Sequence, residues 1–374
     1  MSRLTTALAG HRVVICAGAG GVGKTTVSAA LALGLAAQGH RVALITIDPA
    51  RRLAEALGLD SLGNRPQRVD TASLDGTESE VRGELFAMML DAKRTFDELI
   101  ELLAPDATTR DQILANPIYQ HLSTAVAGSQ DYTAMAKLFE LDHSGDYDVI
   151  VLDTPPSRHA IDFLQAPDRL IALLEGRALA AFLRPTGHVA RVAGLGFTAL
   201  RRITGMGLME DLTALFQLLA GLLEGFRRRA RDVHTLLTAG TSSFLIVTSP
   251  DAAAVDEAIF FGAELDRAGM HRAGVIVNRV HPLDRRGADK ATATRLTAAF
   301  GDALAAKVMS THDDVQRLAH RDQAAIERLR SALGDEPVCL ADRVADVHDL
   351  ETLVEVESEL FGRTSARPRQ ARAA

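Results

Sequence analysis

The stretch Gly18-Ala19-Gly20-Gly21-Val22-Gly23-Lys24-Thr25 constrains the fold more than any other part of the chain, because it satisfies the pattern GxxxxGK[ST]. Before it lies the apolar run Val13-Val14-Ile15-Cys16-Ala17, which reads as a buried strand. After it lies an Ala- and Leu-rich stretch, 26–37, which reads as a helix closed by Gly39. Glycines placed between a strand and a helix let the backbone curl so that successive N–H groups face one anion. The helix N-terminus adds its partial positive charge. In such a loop the lysine reaches the outer phosphates of a nucleotide and the hydroxyl that follows it holds Mg²⁺. Gly20, Gly21, Val22, Gly23, Lys24, Thr25 and Thr26 are therefore the expected nucleotide-binding residues, with Lys24 also assisting catalysis.

Short apolar runs separated by helical stretches recur along the chain. They lie at 42–47, ending on Asp48; at 85–90; at 149–152, ending on Asp153; at 244–248 and 275–277, ending near Asp251 and Asn278; and at 338–340. This alternation predicts an α/β fold: a P-loop NTPase with a mostly parallel central sheet flanked by helices. Polar residues then gather at the carboxyl ends of strands, where open α/β sheets bind ligands. Asp153, beside the phosphate loop, is expected in the Mg²⁺ shell together with Thr25. Asp48, at the end of the neighbouring strand, is expected to orient the attacking water or accept its proton, and to share in the metal shell.

Two helical blocks interrupt this pattern, one at 92–141 and one after the strand at 149–152. The expected organisation is an ATPase core over 1–164 and 235–362, a helical insertion over 165–234, and a disordered tail over 363–374. Within the insertion, apolar residues at 208, 209, 212, 215, 216, 219, 222, 223 and 226 follow helical spacing. That face either packs on its own domain or on a partner subunit, or it lines a groove for a hydrophobic client helix. The packed reading is preferred, since apolar helix stripes are usually core. Glycines at 194, 196, 205 and 207 with Met206 and Met209 suggest a mobile segment, 187–209, ahead of it.

Composition narrows the class. A formal net charge of −7 excludes general nucleic-acid binding, which needs basic stripes. Cys16 and Cys339 are isolated, so neither a disulfide framework nor a thiolate metal site is expected. Without a signal-peptide pattern or a long apolar run, the expected location is the cytoplasm, with peripheral membrane association left open.

Taken together, the motifs resemble those of the arsenite-pump and tail-anchored-protein-targeting ATPases. These belong to a wider class with a deviant phosphate loop that includes partitioning ATPases. The family's GKGGVGKT, TDPA and DTAPTGH motifs appear here as the loop 18–25, as Ile47-Asp48-Pro49-Ala50, and as Asp153-Thr154-Pro155-Pro156-Ser157-Arg158-His159. The detail is most like that of actinobacterial members. The resemblance implies ATP and Mg²⁺ as cofactors, with Asn278 reading adenine and Asp251 contacting the nucleoside. It further implies a homodimer, or a heterodimer with a related ATPase, opening and closing with hydrolysis. A hydrophobic client or a membrane partner would be coupled through the insertion.

Three departures from the family pattern stand out. Its signature lysine, which crosses the dimer interface, is replaced by Ala19. Slow turnover, a substitute arginine (Arg51, Arg52 or Arg158), or a lysine-bearing paralogue would each accommodate that change. The cysteines that bridge subunits through zinc are missing, and so are those that bind arsenite. An alternative function is thus a low-turnover, ATP-switched chaperone or adaptor for hydrophobic segments.

Overall fold

The computed structural model describes residues 2–47, 51–74, 80–125, 129–154, 206–284, 290–343 and 347–363. Its centre is β1 (Val13–Ala17), buried at every position. A strand covered on both faces must be apolar throughout rather than alternating, which is how this run reads. Strands β2 (Arg41–Thr46), β3 (Gln67–Arg68), β4 (Glu84–Met89), β5 (Val149–Asp153), β6 (Ser242–Thr248), β7 (Arg272–Val280) and β8 (Val338–Ala341) complete one eight-stranded sheet. Its order is β3-β4-β2-β5-β1-β6-β7-β8, parallel except for the β3–β4 pair. The expected α/β fold with a mostly parallel sheet is the one observed.

Successive side chains of β1 point to opposite faces, and each face has its own core. Val13, Ile15 and Ala17 join one apolar cluster; Val14 and Cys16 join the other. The second cluster is closed by α1 (Arg3–Ala7), α2 (Lys24–Ala37), α3 (Arg51–Ala56) and, near the carboxyl end, a helix at Leu350–Leu360. Helix α2 begins at Lys24, two residues earlier than the apolar pattern indicates, because the phosphate loop itself supplies the first turn.

The first cluster lies under the helical blocks. The stretch 92–141 is four helices: α4 (Ala92–Leu103), α5 (Ala107–Ala115), α6 (Pro117–Ala125) and α7 (Ser129–Ser144). Their starts are written locally. Asp91 and Asp106 cap α4 and α5 by accepting from Arg94 N and Thr109 N. Asn116 Oδ1 accepts from Ile118 N and Tyr119 N, just ahead of a proline at the first position of α6.

Helix α8 (Met206–Thr238) is the described part of the expected insertion; residues 155–205 lie outside the described residues, as do most of 187–209 and the tail from 364. From Leu215 onward its stripe (Leu215, Leu219, Leu222, Phe226, Val233) is buried in the first cluster. Phe226 sits 6.1 Å from Phe96 and 6.3 Å from Tyr132, ring centre to ring centre. The packed reading of that stripe is therefore the observed one over 215–226. The side chains of Leu208 and Leu212 fall outside the described residues.

Beyond β6 come α9 (Ala252–Arg267), α10 (Lys290–Phe300), the long α11 (Asp302–Leu333) and α12, the Leu350–Leu360 helix. Strand β7 extends well past the apolar triplet 275–277 that marks it in sequence: Arg272 and Gly274 pair with β6, and beyond an irregularity at 278–279 Val280 pairs with β8. Among the described residues no helix is long and apolar enough to cross a membrane.

Candidate phosphate-binding site

The sheet register aligns the chemistry. Cys16 pairs with Asp153 across β1–β5, and Thr46 pairs with Asp153 across β2–β5, so three strands end level at one carboxyl edge. The loop 18–23 leaves that edge at the point where the chain turns from neighbours on one side of β1 to neighbours on the other. Open α/β sheets place their ligands at such a point.

At two positions this loop leaves no room for a side chain. A Cβ at Gly18 would lie 1.9 Å from the Val247 carbonyl oxygen of β6. Gly23 has φ +89°, and a Cβ there would meet Asn278 Nδ2 at 2.3 Å. Gly23 also occupies the N-cap of α2 without any side-chain cap, and no acidic residue stands in the first turn. The N–H groups of that turn are left for an outside acceptor. Lys24 is a cation, only 6 % exposed, at the positive end of a helix, an arrangement that costs stability unless an anion is to be bound. Its Nζ donates to the Ala19 carbonyl at 2.7 Å, folding the side chain across the loop. A glycine-rich loop opening onto an uncapped helix start, with a buried cation, fits a phosphate chain.

Asp153 anchors the other side. It is 1 % exposed and accepts hydrogen bonds from Thr25 Oγ1 at 2.7 Å, Thr46 Oγ1 at 2.9 Å and Ser28 Oγ at 3.4 Å. Thr154 donates from both its N and its Oγ1 to the Cys16 carbonyl, pinning the chain as it leaves β5. Thr25 and Asp153 are thus a hydroxyl and a carboxylate in direct contact, the oxygen donors that a hard divalent cation takes. Next to them, burial pushes the Cys16 thiol up to about 12, the Asp153 carboxylate adding to the effect against a Ser28 hydrogen bond and the Lys24 ammonium. Cys16 is an inert core residue here.

Asn278, expected to face the base, donates from Nδ2 to the Val22 carbonyl at 2.9 Å. It is thereby tied to the phosphate loop itself. Asp251 is the N-cap residue of α9 and accepts from Ser249 Oγ at 3.0 Å, at the carboxyl end of β6. Lys24, Thr25, Asp153 and Asn278 are therefore gathered around one loop, with Asp251 on the adjoining strand end. Asp48 and Arg158 lie outside the described residues, as do the side chains of Arg51 and Arg52. The sequence reading passed over Thr46 and Ser28, although Thr46 stands two residues before Asp48. It also passed over Arg279, His281 and Asp322, whose arrangement depends on two segments distant in sequence. Among the described residues no group of three or more His, Cys, Asp or Glu side chains is placed to hold a metal.

The profile of the anion-transporting ATPase family matches residues 11–316. ATPase GET3 of Malassezia globosa is 29 % identical over 71 % of this chain and 72 % of its own length. ATPase ARSA1 of Chlamydomonas reinhardtii is 27 % identical over 72 % of this chain, but only 35 % of its own length is matched. Putative arsenical pump-driving ATPase 1 of Aquifex aeolicus is 25 % identical over 72 % of this chain and 64 % of its own. The chain thus spans less than two thirds of the latter two relatives. With the profile running from the start of β1 into α11 and across the whole phosphate site, the chain belongs to the anion-transporting ATPase family.

Proposed function

We propose that this chain binds ATP with Mg²⁺ at the carboxyl edge of β1, β2 and β5 and hydrolyses it, the cycle opening and closing a dimer. One observation carries the reading. An uncapped helix start, with a buried lysine folded across the loop, meets through Thr25 a carboxylate that three hydroxyls hold in place. Loop amides and Lys24 would bind the phosphates. Thr25 and Asp153 would hold Mg²⁺, which would supply charge neutralisation at the phosphates. Asp48, two residues beyond β2, is assigned to orient the attacking water and take up its proton, and to share the metal shell. Asn278 and Asp251 are assigned to the nucleoside.

A second reading, a low-turnover ATP switch that serves a hydrophobic client, is favoured by Ala19. Its side chain is buried and uncharged where the family's pattern puts a lysine, so a symmetric pair lacks that cation. Transition-state cations of this kind are worth ~10³-fold or more in rate. The partner under this reading is a lysine-bearing paralogue in a heterodimer. Burial of the α8 stripe over 215–226 supports a client surface elsewhere than on that stripe.

Nucleotide binding and steady-state ATPase assays test both readings. Lys24→Ala should lose tight ATP binding, and undiminished affinity in that variant would sink the first reading. Strong stimulation by a lysine-bearing relative would favour the mixed dimer, and a vigorous rate from the isolated chain would exclude the switch.

A further inference from the structure

Arg279 is the one non-glycine residue at positive φ among the described residues, with φ +62°. A residue bearing a Cβ rarely adopts this backbone region, and such residues persist where surrounding contacts over-determine them, as at ligand clamps. Here those contacts are explicit. On one side, Asn278 is bonded to the Val22 carbonyl of the phosphate loop. On the other, the Val280 carbonyl accepts from Asp342 N at 2.9 Å. His281 is held twice by Asp322 of α11, through its backbone N at 2.9 Å and its Nδ1 at 2.7 Å, and the Asp322 carboxylate is fully buried. The irregularity in β7 at 278–279, where the register to β8 shifts, is thus fixed from three directions, while Arg279 itself is exposed and makes no ion pair or side-chain hydrogen bond among the described residues.

The sheet order says what lies above it. Asp153 and Thr46 stand on β5 and β2, on one side of β1, so the outer phosphates of a bound nucleotide would point that way. A nucleotide seated with its phosphates on the start of α2 must extend its nucleoside toward the opposite side, over β6 and β7. Arg279 stands there, at the irregularity near the carboxyl end of β7 and next to the residue that touches the loop. A guanidinium is planar, stays charged, and stacks on the π face of a nucleobase.

We infer that Arg279 is a base-contacting residue whose guanidinium packs over the base of the bound nucleoside triphosphate. This deepens the nucleotide reading above and depends on it. The contact is to the base and not to the phosphates, so it adds affinity for ATP without adding any for a bare phosphate chain.

Calorimetric titration of the parent, Arg279→Ala and Arg279→Gly with Mg·ATP and with Mg·tripolyphosphate tests the inference. Both variants should bind ATP about ten-fold more weakly, the order expected for loss of one base–side-chain stack. Both should bind tripolyphosphate within two-fold of the parent. The glycine variant suits the positive φ, so its matching loss would separate the side chain from backbone strain. ATP binding within two-fold of the parent in both variants, or a proportionate loss of tripolyphosphate, overturns the inference. Lys24→Ala run alongside should lose both ligands; if it binds both normally, the nucleotide reading fails whatever Arg279 does.

Discussion

Thr46 and Asp153 are register partners at the ends of adjacent parallel strands, and the buried Thr46 hydroxyl donates to the Asp153 carboxylate at 2.9 Å. Parallel pairing thereby fixes the direction in which the one described carboxylate of the phosphate site faces. Thr25 reaches the same oxygen from the first turn of α2, so strand, neighbour and helix converge on a single atom.

Thr46→Val keeps the shape and deletes this donor. Hydrogen bonds to charged groups contribute about 2 kcal/mol, so urea unfolding should show a loss of that order. The carboxylate would also be held less firmly, and the Mg²⁺ concentration giving half-maximal ATPase rate should rise. Unchanged stability together with an unchanged Mg²⁺ dependence would mean the bond positions nothing.

Gly18→Ala should be among the most damaging single changes in the chain. Its Cβ would press on a backbone carbonyl of β6, which cannot rotate aside as a side chain would. Overpacking alone costs about 1–3 kcal/mol, and forced separation of β1 from β6 adds to that. Poor recovery of folded protein, or a greatly lowered melting temperature, is the expected result; a normal melting curve would contradict the close approach.

Phe226→Ala removes a ring packed among Phe96 and Tyr132 and should destabilise by about 3–5 kcal/mol in denaturant unfolding. A client-binding stripe would respond differently, losing affinity for hydrophobic peptide at little cost in stability. The two measurements on one variant decide between the alternatives for the face at 215–226.

Acid should weaken the fold through a pair of stacked histidines. His11 and His271 lie 4.7 Å apart, ring centre to ring centre, and burial, then repulsion from His271, holds His11 below its ordinary value of 6.5. The unfolded chain therefore takes up a proton near pH 6.5 that the folded chain refuses until lower pH. This contribution is complete above that value and declines as pH falls through the lowered one. Comparing unfolding at pH 7.5 and 5.5 should show a smaller acid-induced loss in His271→Gln than in the parent. Equal losses would remove the pair as a source of acid sensitivity.

Much of the fold could be read from the chain because its strongest signals are local. Apolar runs of four to six residues mark the central strands, since strands buried on both faces need no alternation. The exceptions follow the same reasoning. Gln67 and Arg68 form an exposed two-residue edge strand, and so few residues carry no periodicity. The outer residues of β7 are polar or small and join the sheet only because β6 and β8 flank them. The four helices over 92–144 read as one block because short connections between amphipathic helices barely disturb the pattern.

The local sequence establishes that a phosphate-cradling loop joins a buried strand to a helix, because glycine spacing, a lysine and a hydroxyl state that chemistry within eight residues. It also marked Asp153 and Asn278 as strand-end polar residues. Packing in three dimensions alone brings Thr46 and Ser28 to Asp153, sets Asn278 on the Val22 carbonyl, and lets Asp322 secure the chain just past the irregular stretch of β7 that bears Arg279. Those contacts join residues from 41 to 256 positions apart, and strand order and register bring them together without leaving a trace in local composition.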